Sequence, residues 1–92
     1  MKITPTEIEM SYKTGTIFGF TIDEITKALG ITPRASNDGK CRAIWDFAVE
    51  LNHETHNCSI WDWKNSSDQK YFSCFMPSEI QDEVEKLLKQ KN

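Results

Sequence analysis

The sequence predicts an α+β fold: a three- to four-stranded antiparallel sheet, arranged as a meander, with a short helix and a C-terminal helix packed on one face. Three observations predict it. Two aromatic, alternating segments, CRAIWDFAVEL at 41–51 and NCSIWDWK at 57–64, flank five turn-like residues and hold all three tryptophans. Alternation with period two marks a half-buried strand, and two such runs across a short polar break read as a hairpin. Thr21-Ile22-Asp23-Glu24 is a capping box ahead of Ile25, Ala28 and Leu29, with Gly30 where a left-handed terminator belongs. Ser78-x-x-Gln81 then opens a segment whose Ile80, Val84, Leu87 and Leu88 fall at i, i+4, i+7 and i+8, one apolar stripe.

At the N-terminus, Thr4-Pro5-Thr6-Glu7 also has the form of a capping box, and Ile3 and Ile8 are spaced for a hydrophobic staple. Ile8, Met10 and Tyr12 alternate equally well, so a short helix and an extended arm both fit this stretch. Lys13-Thr14-Gly15 reads as a turn, and TIFGF at 16–20 as a short strand or bend weakened by Gly19. The first helix covers 22–29. Pro33, Ser36, Asn37, Asp38 and Gly39 make 31–40 a loop that delivers the chain into the first hairpin strand. A further strand, KYFSCF at 70–75, follows the polar run NSSDQ; Met76-Pro77-Ser78 ends the sheet and the last helix runs from about 79 to 90. The expectation is one domain over residues 1–92.

Hairpin parity sorts residues onto two faces. With a turn over 52–56, Leu51 faces Asn57, Phe47 faces Trp61 and Trp45 faces Trp63. Cys41, Ala43, Trp45, Phe47, Val49, Leu51, Trp61 and Trp63 would then form the core face, each large side chain contributing roughly 1.5–3 kcal/mol by burial. The opposite face would carry Arg42, Ile44, Asp46, Ile60, Asp62 and Lys64, with Ala48, Glu50 and Cys58. Asp46 would lie opposite Asp62, a like-charge pair that Arg42 and Lys64 compensate. Such a face is either a solvated exterior or a binding surface of apolar area beside fixed charges. Arg42, Ile44, Asp46, Ile60, Asp62 and Lys64 are the candidate binding residues.

Composition narrows the function classes. At 92 residues the chain buries only roughly 60–65% of its unfolded surface, which leaves little room for a large internal cleft. Eleven basic against fourteen acidic residues give a net charge of −3, neither a field that gathers nucleic acid nor the dense negative charge of a DNA mimic. No run reaches the ~20 apolar residues of a membrane span, and the start lacks the apolar core of a signal peptide, so a cytoplasmic location is expected. Cys41, Cys58 and Cys74 cannot all pair within one molecule and sit in strand-like apolar contexts, as reduced core thiols do.

Other chemistries are only weakly signalled. His53, His56 and Cys58 are suitable zinc ligands, but their spacing is loose and a fourth ligand is missing, so no metal or other cofactor is expected. Asp46 and Asp62 could make an acid/base pair, yet no nucleophile or oxyanion donor stands beside them. Phosphate-loop, Ser/His/Asp and Cys-x-x-Cys patterns are absent. Base stacking would have to use Tyr71 and Phe72 beside Lys64 and Lys70. A signalling nucleotide held at a subunit interface could use Arg42, Arg34 and lysines for phosphate and an aromatic for the base.

Leu29-Gly30, Gly39-Lys40, Trp45-x-Phe47, Ile60-Trp61-Asp62-Trp63-Lys64 and a late aromatic strand, ordered over roughly residues 18–75, carry a resemblance to a group of small bacteriophage and prophage proteins. This chain departs from them in having Phe72-Ser73-Cys74-Phe75 where they tend to carry a Trp-His-Ile-Gly type of ending, and in a longer last helix. The resemblance implies a phage origin and expression in a bacterial cytoplasm. It also implies a non-enzymatic protein that inhibits a bacterial antiviral defence system by binding a protein component of it. Sequestration of a signalling nucleotide, with the chain as a homodimer, is the alternative, and a small metal-binding or weakly catalytic protein a further one.

Overall fold

The computed structural model describes residues 1–8, 12–35, 41–63 and 71–91, without the side chains of Arg42 and Trp63. In chain order the elements are β1 (Lys2–Pro5), β2 (Gly15–Phe18), α1 (Ile22–Leu29), β3 (Cys41–Leu51), β4 (Glu54–Trp63), β5 (Tyr71–Phe75) and α2 (Ser78–Lys91). All strands join one antiparallel five-stranded sheet in the order β1-β3-β4-β5-β2. The α+β expectation holds, with β1 and β2 closing the two edges of the meander. The N-terminal arm is extended, not helical: Ile3 pairs with Val49 and Pro5 with Phe47.

Local signals formed α1 as expected. Thr21 accepts from the Glu24 amide at 3.1 Å while the Glu24 carboxylate accepts from the Thr21 amide at 2.9 Å, and Gly30 stops the helix at φ 70°. The corresponding box at α2 does not close. Pro77 supplies the carbonyl that accepts from the Gln81 amide, and the Gln81 side chain donates instead to the Thr16 carbonyl across the sheet, at 3.1 Å.

The hairpin register differs from the sequence expectation. Asn52 and His53 alone form the turn, both at positive φ (55° and 67°), the conformation of a two-residue type I′ connection whose twist matches that of the strands. Glu54, Thr55 and His56 therefore belong to β4, and Leu51 pairs with Glu54, Trp45 with Ile60 and Asp46 with Ser59. Each β3 residue meets a partner three places earlier than expected, and an odd shift exchanges the two faces of β4. Cys58, Ile60 and Asp62 thus join the core face of β3, and Trp61 leaves it. A bulge between Cys41 and Ala43 adjusts the register at the far end.

Both helices pack on that core face. Ile25, Ala28 and Leu29 of α1 and Ile80, Val84 and Leu88 of α2 bury against Ile17, Ala43, Trp45, Phe47, Val49, Cys58, Ile60, Phe72 and Cys74. Trp45 is the centre: fully buried, it sets its ring edge-on to Phe72 at 5.6 Å and donates its indole N–H to the Thr26 hydroxyl at 3.2 Å. Among the described residues no helix is long and apolar enough to cross a membrane.

Candidate functional site on the helix-free face

Among the described residues no helix lies on the second face of the sheet. Register places Arg34, Ile44, Trp61, Ser73 and Thr16 in one cross-strand row of it, and Asp46, Ser59 and Phe75 in the next. Trp61 is only 9% exposed yet lies outside the helix-covered core cluster, as this placement requires.

A buried polar group anchors the β3 side. The backbone of Arg34 bridges that of Ile44 along the edge of β3, with N···O distances of 2.9 and 2.7 Å. That bridge brings the guanidinium over Asp46, where Nη2 and Nε donate to Oδ2 at 2.6 and 3.1 Å. The Ser59 hydroxyl donates to Oδ1 at 2.8 Å. Both carboxylate oxygens are thereby satisfied in a side chain that is 6% exposed, while the arginine is 55% exposed. Asp46 consequently needs no compensation from Arg42 or Lys64.

Aromatic surface lies on the β5–β2 side. Tyr12 meets Phe75 edge-on at 5.1 Å and Phe18 meets Tyr71 at 5.9 Å. Tyr12 and Phe18 are 71% and 67% exposed. Tyr71 and Phe75 are four residues apart on one strand, about 14 Å at a strand rise of ~3.4 Å. Two aromatic contacts therefore stand apart on one face, with Ser73 between them.

The six sequence-derived binding residues do not form one surface. Ile44 and Asp46 lie on the helix-free face; Ile60 is fully buried and Asp62 is 3% exposed, both on the face beneath the helices. Lys64 and the Arg42 side chain lie outside the described residues. Asp46 and Asp62 occupy opposite faces, which removes both the expected like-charge pair and the acid/base pair. Phe72 is core and leaves Tyr71 as the accessible member of that pair. Lys70, the other basic residue of the stacking set, is outside the described residues. Tyr12, Phe18 and Phe75 carried a signal in their alternation about Gly15 and Ser73; strands are expected near 16–20 and 70–75, but their faces could be assigned only once pairing was known, and Tyr12 precedes β2.

The histidines and thiols do not converge either. His53 is in the turn, His56 lies 3.5 Å from Glu54, and Cys58 is buried in the core. Among the described residues no group of three or more His, Cys, Asp or Glu side chains is placed to hold a metal. Burial, reinforced by neighbouring Cys74, pushes the Cys58 thiol up to about 12. Burial and then Glu85 push Cys74 up to about 11, against a lowering by Lys13. Both are neutral thiols at physiological pH, poor nucleophiles and poor ligands.

No protein-family model, curated protein or solved structure matches the chain.

Proposed function

We propose that this is a non-enzymatic binding protein that engages a protein partner through the aromatic side of its helix-free face. The observation that carries the proposal is the pair of ring contacts, Tyr12 with Phe75 and Phe18 with Tyr71, whose outer members are more than two-thirds exposed. Aromatic side chains offer large, rigid contact area and are favoured anchors at protein interfaces. The Arg34–Asp46–Ser59 group, in which the carboxylate and the serine are buried and the arginine is half exposed, supports the reading by fixing the β3 side of the same face. The sheet supplies a rigid platform, so binding does not have to order it.

The finer reading is that the partner is a component of a bacterial antiviral defence system and that the protein acts in the bacterial cytoplasm, as its resemblance to small phage proteins implies. Capture of a signalling nucleotide is less well supported, because Arg34 already donates through Nε and Nη2 to Asp46 and stands at the opposite edge of the sheet from Phe18. The test is phage plating on bacterial hosts that each carry one defined defence system, with and without this chain expressed. Plating efficiency should rise at least tenfold on one or more hosts. No rise on any of them would overturn the anti-defence reading.

A further inference from the structure

Arg34 is fixed twice. Its backbone bridges Ile44 in both directions along the edge of β3, at 2.9 and 2.7 Å, and its guanidinium is drawn onto Asp46. Nε and Nη2 both donate to one oxygen, Oδ2, so the side-on edge of the guanidinium is turned inward. Among the described residues Nη1 donates to nothing, and the side chain is 55% exposed although the carboxylate beneath it is 6% exposed. The end-on edge, where Nη1 and Nη2 carry parallel N–H bonds, is therefore the accessible one.

Stability alone does not account for this arrangement. Burying a carboxylate costs desolvation, and a well-packed apolar set of similar volume is commonly as stable as a buried ion pair or more so. What an apolar set cannot supply is a cation held at one point of the surface. A free arginine loses side-chain freedom when it binds; here Asp46, itself locked by the Ser59 hydroxyl at 2.8 Å, imposes that loss during folding. The pair lies at the edge of the helix-free face, four strand spacings or about 19 Å from β2 and its Phe18. A standard interface, about 800 Å² per partner, spans that distance.

We infer that Arg34 receives a carboxylate of the protein partner on its Nη1–Nη2 edge. The inference rests on the binding role proposed above and names the chemistry of one anchor. Asp46 offsets the guanidinium charge and the chain as a whole carries a net −3, so the site offers directed hydrogen bonds rather than a strong positive field. A single carboxylate, whose two oxygens match two parallel N–H bonds, suits it better than a multiply charged nucleotide. Asp46 is then a positioning residue and Arg34 the contact.

The probe is a display library of random dodecapeptides selected on the intact protein, with enriched peptides followed by NMR titration. Enriched peptides should share an Asp or Glu and shift the Arg34 side-chain N–H signals. Replacing that acid by Asn or Gln should weaken binding tenfold or more. Arg34→Met with Asp46→Leu and Ser59→Ala exchanges the polar group for an apolar one and should bind the acidic peptides at least tenfold more weakly. The titration uses the unsubstituted chain, so it stands even if the triple variant fails to fold. An empty selection, enriched peptides without a shared acid, amide-substituted peptides that bind like their parents, or a folded triple variant with unchanged binding would overturn the inference. Tighter binding of inorganic phosphate than of any enriched peptide would overturn the carboxylate in favour of a phosphate ligand. Peptides that shift Tyr12 and Phe18 alone would overturn the Arg34 anchor while leaving the binding role intact.

Discussion

Asp46 illustrates how a single side chain changes meaning once its neighbours are known. Its carboxylate is nearly buried and is held by Arg34 from a loop and Ser59 from the adjacent strand. Removing the arginine leaves Oδ2 without its charged donors, so Arg34→Ala should lower stability by about 1–3 kcal/mol, read from the urea midpoint at unchanged slope. Arg34→Lys should recover only part of this, since an ammonium cannot reproduce the guanidinium fork. The thiols make a second prediction with a definite sign. Cys58 and Cys74 ionise near 9 in the unfolded chain but at about 12 and 11 in the folded one. The folded state then holds more protons above pH 9, so its stability is full below that value and falls as pH rises towards 11–12. Replacing both thiols by alanine should flatten the decline between pH 9 and 11, measured by urea unfolding at each pH.

Elements defined by neighbouring residues were legible in the sequence; those defined by distant partners were not. The helix Ile22–Leu29 carries its start, stripe and stop within ten residues, and β3 was found to its ends. The turn was not, because it has no glycine to announce a left-handed pair and because Glu54, Thr55 and His56 look as polar as a loop. That misplacement alone moved Ile60 and Asp62 off the core and Trp61 onto it. β1 and β2 are four-residue strands whose partners lie more than forty residues away, so composition near them says little. The turn geometry is itself testable. His53 sits at φ 67°, where a side chain is strained and glycine is not, so His53→Gly should stabilise the protein by about 1 kcal/mol at the urea midpoint. A destabilisation would contradict the two-residue turn and the face assignments built on it.

The molecule as a whole is a sheet with two unlike sides. One is sealed by α1 and α2 over a continuous core that includes Trp45, Phe47 and Ile60. The other combines an ion pair between a half-exposed arginine and a buried carboxylate with two aromatic rings left largely in water. This asymmetry supports a binding role, and the residues of the helix-free face were only partly legible: parity places Asp46 and Ile44 on it, while Phe18 depended on long-range pairing and Tyr12 on its contact with Phe75. Exposed rings contribute little to stability, so each can be replaced at a cost of order 0.5 kcal/mol. The most direct measurement compares phage plating for two double variants of matched thermal midpoint on a host whose plating the parent chain raises. Tyr12→Asp with Phe18→Asp alters the helix-free face; Lys86→Glu with Lys89→Glu alters exposed positions of α2. Loss of the rise in the aromatic pair and its retention in the lysine pair is the predicted result. The opposite pattern would contradict the assignment of function to the helix-free face.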